Sequence, residues 1–398
     1  MTDLPISGEK PRRSIVDMIY DPATRGLIFQ VLVVVALFAL GYEIVTNTIA
    51  NLKKQNIASG FDFLGRTAGF DIGQRLIDYA PTDSYLRAFW VGLCNTLLVA
   101  AIGIVFATVI GFIVGIARLS HNWLISRLAL VFVEVVRNMP PLLTLFLFYF
   151  AFLKTLPGPK QSIQLPFSSV LNVRGLSLPM PIWQPGSWLI PVALAIGIIA
   201  SIVVGRWASA RRIATGQQFP VLWTTLGLII GLPLLAFLAA GLPVTFDYPV
   251  LKGFNYQGGL VILPEFMALL IGLTIYTASF IAEIVRSGIQ GVSKGQKEAA
   301  AALGFRPGLA MRLVVLPQAM RIVIPPLTNQ YLNLTKNSSL AIAIGYPDLV
   351  SVFAGTVLNN TNQAIECIVI TMGVYLVISL VTSFFMNWFN TRMALVER

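Results

Sequence analysis

The sequence predicts an all-α membrane protein with about eight transmembrane helices. Of its 398 residues, 56% are hydrophobic and only 11% are charged. Soluble domains carry about 25% charged residues. The apolar residues gather in repeated runs of about 20, the length a helix needs to cross a bilayer. A segment inside hydrocarbon must satisfy its own backbone polar groups, so such runs are helices.

The elements follow in chain order. Met1 to Arg25 is polar and basic, and Gly26 to Thr48 is the first apolar run. A cleaved signal peptide is the rival reading, but the polar lead is long and no small-residue cleavage site follows. Ala50 to Tyr85 is mixed, with a short amphipathic helix expected near Phe70 to Tyr79. Leu86 to Leu119 holds the second span. Trp123 to Leu156 is too long for one span, and Pro140 and Pro141 divide it, because a proline inside a helix breaks the ladder. Trp123 to Arg137 then lies along the cytoplasmic surface, and Met139 to Leu156 crosses as the third span. Pro157 to Gly186 reads as an extended loop. Trp188 to Val204 and Val221 to Leu242 are the fourth and fifth spans, joined by a basic loop from Arg206 to Gln218. Pro243 to Pro264 is a second outer loop. Glu265 to Ile284 is the sixth span, Arg321 to Ile344 holds the seventh, and Ile365 to Trp388 is the eighth. Pro347 to Asn362 between the last two reads as a short polar loop.

The formal charge of +11 is sorted by loop before it is read. With the N-terminus inside, 17 of the 28 Lys and Arg fall on inner segments and 9 on outer ones, leaving Arg137 and Lys336 unassigned. That bias places both termini in the cytoplasm. It makes the lipid bilayer, and not nucleic acid, the reason for the charge. Cys94 and Cys367 lie inside apolar runs and read as buried thiols. With His121 the sole histidine, no metal site or disulfide framework is expected. The chain has no G-x-x-x-x-G-K-[ST] and no nucleophile–base pair, so it is read as a non-enzyme without a cofactor.

The most informative water-facing stretch is Glu298 to Pro317. Lys297 to Leu303 is alanine-rich, and alanine is the best helix former. Gly304 stands where a left-handed cap is wanted. Pro307 suits a first helical turn. The pattern predicts a helix, a turn, and a second helix that stops at Pro317. Ala299, Ala300, Ala301 and Ala302 give a small flat face, flanked by Glu298, onto which another backbone can come close.

Three more stretches carry polar groups at span ends or inside spans. Glu134 and Arg137 are three apart and can pair on one helix face, as can Glu283 and Arg286. Asn329, Asn333, Lys336 and Asn337 fall on one stripe of a helix. Polar residues at membrane depth mark a pathway or a partner helix; the alternative is interhelical glue for a second subunit.

Glu298-Ala299-Ala300, Gly304, Val314, Leu316 and Pro317 keep the spacing of the EAA loop, and the segment is similar to that loop in permease subunits of bacterial ABC importers. Glu134 to Pro141 resembles the Glu-x-x-Arg-Gly-Thr-Pro segment of polar-amino-acid permeases, with Asn138 and Met139 in place of Gly-Thr. Ala282 to Ile289 resembles their Ala-Glu-x-x-Arg-Gly-Gly-Ile run, with Ser287 for a glycine. Leu334 to Leu340 resembles their Leu-x-Lys-x-Thr-Ser-Leu.

The resemblance implies a type I (MetI-like) permease core of five spans within Leu86–Leu156 and Pro264–Trp388. Residues 1–85, a tail, span and outer segment, then precede the core. Residues 86–156 form its first part. Residues 157–263 are inserted loops and an extra hairpin. Residues 264–398 form its second part, with the coupling loop at 286–317. The resemblance further implies an amino-acid importer of the bacterial inner membrane. Its partners would be an ABC ATPase subunit, a second permease subunit and a periplasmic amino-acid-binding protein. Glu298, Ala299, Ala300, Gly304, Leu316 and Pro317 would couple to the ATPase. The alternative is an ion-coupled secondary transporter, with Pro140-Pro141 and Pro325-Pro326 as its helix breaks; no internal repeat supports it.

Overall fold

The computed structural model describes residues 22–54 and 60–393. Its helices are α1 (Pro22–Lys54), α2 (Tyr85–Ala117), α3 (Trp123–Arg137), α4 (Pro141–Thr155), α5 (Leu189–Thr215) and α6 (Val221–Ala239). α7 (Pro264–Gln290), α8 (Lys294–Ala302), α9 (Pro307–Ile344) and α11 (Ala364–Met393) follow. A short helical segment, α10, comprises Val350–Val357 and Leu358–Thr361 and lies between the last two. Among the described residues, seven helices are long and apolar enough to cross a membrane, and α3 with α4 forms a bent pair that can make an eighth.

Two populations of spans are present. α1 and α6 have no buried residues in their apolar windows, and α5 has few. α5 and α6 pack on each other, where a Cβ at Gly197 would lie 2.4 Å from the Leu228 carbonyl oxygen. The remaining helices form a core centred on α7, the most buried span. α2 packs along it through Gly111 and Gly115, and Gly103 of the same small-residue row faces Leu334 of α9. A Cβ at Gly111 would stand 2.6 Å from the Ile281 Cβ, so the helix backbones touch there. This is the small-residue packing that replaces a hydrophobic driving force in lipid.

The chain turns by 106° between α3 and α4, as the two prolines dictate. Asn138 closes α3, its side-chain amide donating to the Glu134 carbonyl at 2.6 Å. Pro140 is extended (φ −58°, ψ 140°), and Pro141 begins the next helix. Pro325 and Pro326 behave differently, because α9 runs straight through them. Their neighbours Ile324 and Leu327 are buried at 1% and 4% exposure, so packing holds the helix there.

Several local expectations are corrected. Phe70 to Tyr79 is not helical. Its backbone is committed to tertiary partners: the Gln74 carbonyl accepts from Asn95, and the Asp78 carbonyl from Arg87. Tyr79 Oη donates to the Phe70 carbonyl at 2.9 Å. The stretch after Val204 is not a loop, since α5 continues to Thr215 and ends on the left-handed Gly216. Pro317 does not stop a helix. A π turn at Met311–Val315 inserts one residue just before it, which gives the proline ring room. Pro347 to Asn362 is not a polar loop: Leu349, Val352, Phe353 and Val357 are buried in the core.

The segment between α4 and α5 and the segment between α6 and α7 hold eight short strands. β1 (Ile163–Leu165), β2 (Ser169–Asn172), β3 (Gly175–Leu178) and β4 (Met180–Trp183) come from the first. β5 (Val244–Asp247), β6 (Val250–Lys252), β7 (Asn255–Gln257) and β8 (Leu260–Ile262) come from the second. One antiparallel sheet has the order β1-β2-β3-β8, so it joins both segments. β4 pairs with β5, and β6 with β7. Strands of three or four residues leave too little alternation to be read from sequence.

Candidate coupling helix, charge cluster and polar groove

α8 ends in a full Schellman motif. Gly304 has φ +75°. Its amide donates to the Ala301 carbonyl at 2.9 Å, and the Phe305 amide donates to the Ala300 carbonyl at 3.1 Å. Arg306 is extended, and Pro307 opens α9. The expected helix–turn–helix is therefore formed, although its first helix begins at Lys294, three residues earlier than Lys297. Its faces differ from the expectation. Ala300 is 3% exposed and turned into the chain, so it is not part of a free docking face. Glu298, Ala299, Ala301 and Ala302 are exposed. Leu303 at the tip is 75% exposed, an apolar residue that the alanine pattern overshadowed. Gln318 donates to Gln296 at 3.2 Å and ties α8 to α9. Leu316 and Pro317 are exposed on α9, and Val314 is half-buried.

A charge cluster gathers the core helices near α8. Glu283 and Arg286 pair as expected, with Arg286 Nε 3.1 Å from both carboxylate oxygens. Arg118, which follows α2, donates to the same carboxylate and is only 10% exposed in its side chain. No local spacing signals this third member, because it comes from a distant helix. Glu134 and Arg137 do not pair with each other. Glu134 approaches Arg118 at 4.0 Å, and the Arg137 guanidinium lies 5.2 Å from the Phe280 ring centroid.

The polar stripe on α9 borders a groove against α11. Asn329, Asn333 and Lys336 are exposed, and Asn337 is half-buried. Lys336 and Ser339 line a cavity of about 500 Å³ with Thr371, Tyr375 and Ser379. Asn329 lines a second, of about 460 Å³, with Thr328, Ser383, Asn387 and Asn390. Asn333 and Asn337 line neither. Thr371, Tyr375, Ser379, Ser383 and Asn387 recur every four residues on α11. That spacing signals a second polar stripe, which the sequence reading passed over in an apolar run.

A buried anchor lies beyond the groove. Asp348 accepts from the Ser351 amide at 2.8 Å and from Tyr375 Oη at 3.3 Å. Asn95 on α2 donates to the Pro347 carbonyl at 2.8 Å, and the Leu349 amide donates to Thr96 Oγ1 at 3.0 Å. These bonds fix α10 to α2 and α11.

Residues 193–395 match the family model for the binding-protein-dependent transport system inner membrane component. The chain is 57% identical over 379 residues to the general L-amino acid transport system permease protein AapQ of Rhizobium johnstonii, covering 95% of this chain and 94% of that protein. It is 41% identical over 412 residues to the glutamate/glutamine/aspartate/asparagine transport system permease protein BztB of Rhodobacter capsulatus, covering 96% of each. Nothing in these similarities supports an ion-coupled secondary transporter. The chain belongs to the family of binding-protein-dependent transport system inner membrane components.

Proposed function

We propose that the chain is the membrane-spanning permease subunit of an ATP-driven ABC importer that carries amino acids into the cytoplasm. The observation that carries this reading is α8. It is a short helix with a mostly exposed small-residue face, rigidly capped at Gly304 and continuous with a core span through α9. Such a helix suits a groove on a cytoplasmic ATPase subunit. Motion of that partner would reach the core through the α8–α9 contact and through the Arg118–Glu283–Arg286 cluster.

In this reading a periplasmic binding protein delivers the amino acid. A second permease subunit of similar fold faces the groove of α9 and α11, and substrate passes along its Asn, Ser and Lys residues. Both termini lie in the cytoplasm of a cell with an inner membrane. Hydrolysis belongs to the ATPase partner. The relatives' names, which specify amino acids, support the substrate class.

The test is reconstitution with the neighbouring ATPase, permease and binding protein in vesicles. ATP-dependent, vanadate-sensitive uptake of amino acids is expected. Uptake driven by an ion gradient without ATP would contradict the reading.

A further inference from the structure

We propose that the outer β-sheet carries a binding site for free α-amino acids, at the mouth of α4 and α7. The inference rests on the importer reading and adds a site to it. The site is a cavity of about 360 Å³, lined by Arg174, Glu265, Asn255, Tyr256, Asn172 and Ser177. That volume falls in the roughly 300–1,000 Å³ range of small-molecule sites.

The fold builds this cavity from two separate segments. β3 and β8 pair antiparallel, with Leu176 opposite Ile262. Arg174, in the turn before β3, and Glu265, just after β8, lie at the same end of this pair. The turn that presents Arg174 is fixed. Its amide donates to Asn172 Oδ1 at 2.8 Å, and Asn172 is 2% exposed. Gly175 has φ +121°, and a Cβ there would fall 2.1 Å from the Ile262 carbonyl oxygen. Glu265 sits in the first turn of α7, where Tyr149 Oη of α4 donates to its carboxylate at 3.3 Å. The cavity therefore touches two core spans at their outer ends.

The charges fit one ligand class. Arg174 and Glu265 both line the cavity, and among the described residues no ion pair joins them within 4.0 Å. A guanidinium matches a carboxylate with two parallel hydrogen bonds. A carboxylate accepts from an ammonium group. One cation and one anion lining the same cavity therefore match the α-carboxylate and α-ammonium that every amino acid shares. Asn255, Tyr256 and Ser177 add neutral donors and acceptors that do not select among side chains. A site of this kind would hold substrate released at the membrane surface without restricting its identity.

The experiment measures equilibrium binding of radiolabelled L-glutamine, L-glutamate and L-arginine to the purified permease–ATPase complex, without binding protein. The deaminated and decarboxylated analogues of glutamine serve as competitors. The expected result is saturable binding of all three amino acids, with each analogue at least tenfold weaker. Arg174→Gln and Glu265→Gln should each weaken binding at least tenfold, and Arg174→Lys should be intermediate. Should either charge variant fail to assemble, Asn255→Ala at the exposed rim should still weaken binding about threefold. Binding unchanged in these variants would overturn the site, as would an acid-only ligand that depends on Arg174 but not on Glu265. ATP-driven uptake by the parent importer is measured beside it. If the parent transports and the variants bind normally, the site alone is wrong. If the parent does not transport, the importer reading fails.

Discussion

The Arg118 guanidinium, just past the end of α2, is held by the Glu283 carboxylate of α7, which Arg286 also engages. Three charges thus join two spans. The three side chains are partly buried, so removing one partner costs less than the about 3–5 kcal/mol of a fully buried pair and more than an exposed one.

Arg118→Gln should therefore destabilise the permease by about 1–3 kcal/mol, between the exposed and buried limits, because Glu283 keeps Arg286. Glu283→Gln should cost more, since it strands two arginines. Thermal unfolding in detergent checks the order. Equal, negligible losses would mean that the cluster is solvated and does not join the helices.

The topology can be tested from outside the cell. Ser168, Ser209, Asn255 and Ser293 are all exposed. Changed singly to Cys in a background without Cys94 and Cys367, Ser168→Cys and Asn255→Cys should react with an impermeant thiol reagent in intact cells. Ser209→Cys and Ser293→Cys should react only after lysis. Labelling of Ser209→Cys in intact cells would remove the α5–α6 hairpin from its assigned orientation.

The spans and the coupling turn were legible because their signals are local. Apolar run length marks a span, and Gly304 and Pro307 mark a turn by their own backbone preferences. The sheet was not legible, because β3 finds β8 across about eighty residues and each strand is too short to show alternation. Arg118 and Asp348 were missed for a related reason: their partners lie on distant helices. Pro317 misled because a π turn can absorb a proline. Ala300 misled because a run of alanines does not say which one faces inward.

Lys336 lines the larger groove cavity, and among the described residues no carboxylate lies within 4.0 Å of it. An intramembrane lysine costs about 2.5–3.5 kcal/mol on insertion scales. Lys336→Met should insert at least as well as the parent, yet transport more slowly or with altered preference among acidic, neutral and basic amino acids. Uptake assays in reconstituted vesicles check this. Unchanged uptake of all three classes would assign Lys336 to subunit packing or to the membrane surface.

Gly304 tests coupling through α8 with little side-chain interference. A Cβ at position 304 would meet no atom within 4 Å, so the penalty of a substitution lies in its backbone. A non-glycine residue held at φ +75° costs roughly 1–2 kcal/mol, and a β-branched one more. In Gly304→Val the Schellman cap should open and α8 should leave its angle, while the spans remain assembled. Glu298→Ala should give a milder defect, because it removes an exposed charge without bending the loop. The decisive measurement is ATPase activity of the reconstituted importer with and without loaded binding protein, beside uptake. Gly304→Val should lose the ATPase subunit, or keep it without stimulated hydrolysis. Retention of the ATPase subunit with normal stimulation and normal uptake would contradict coupling through α8.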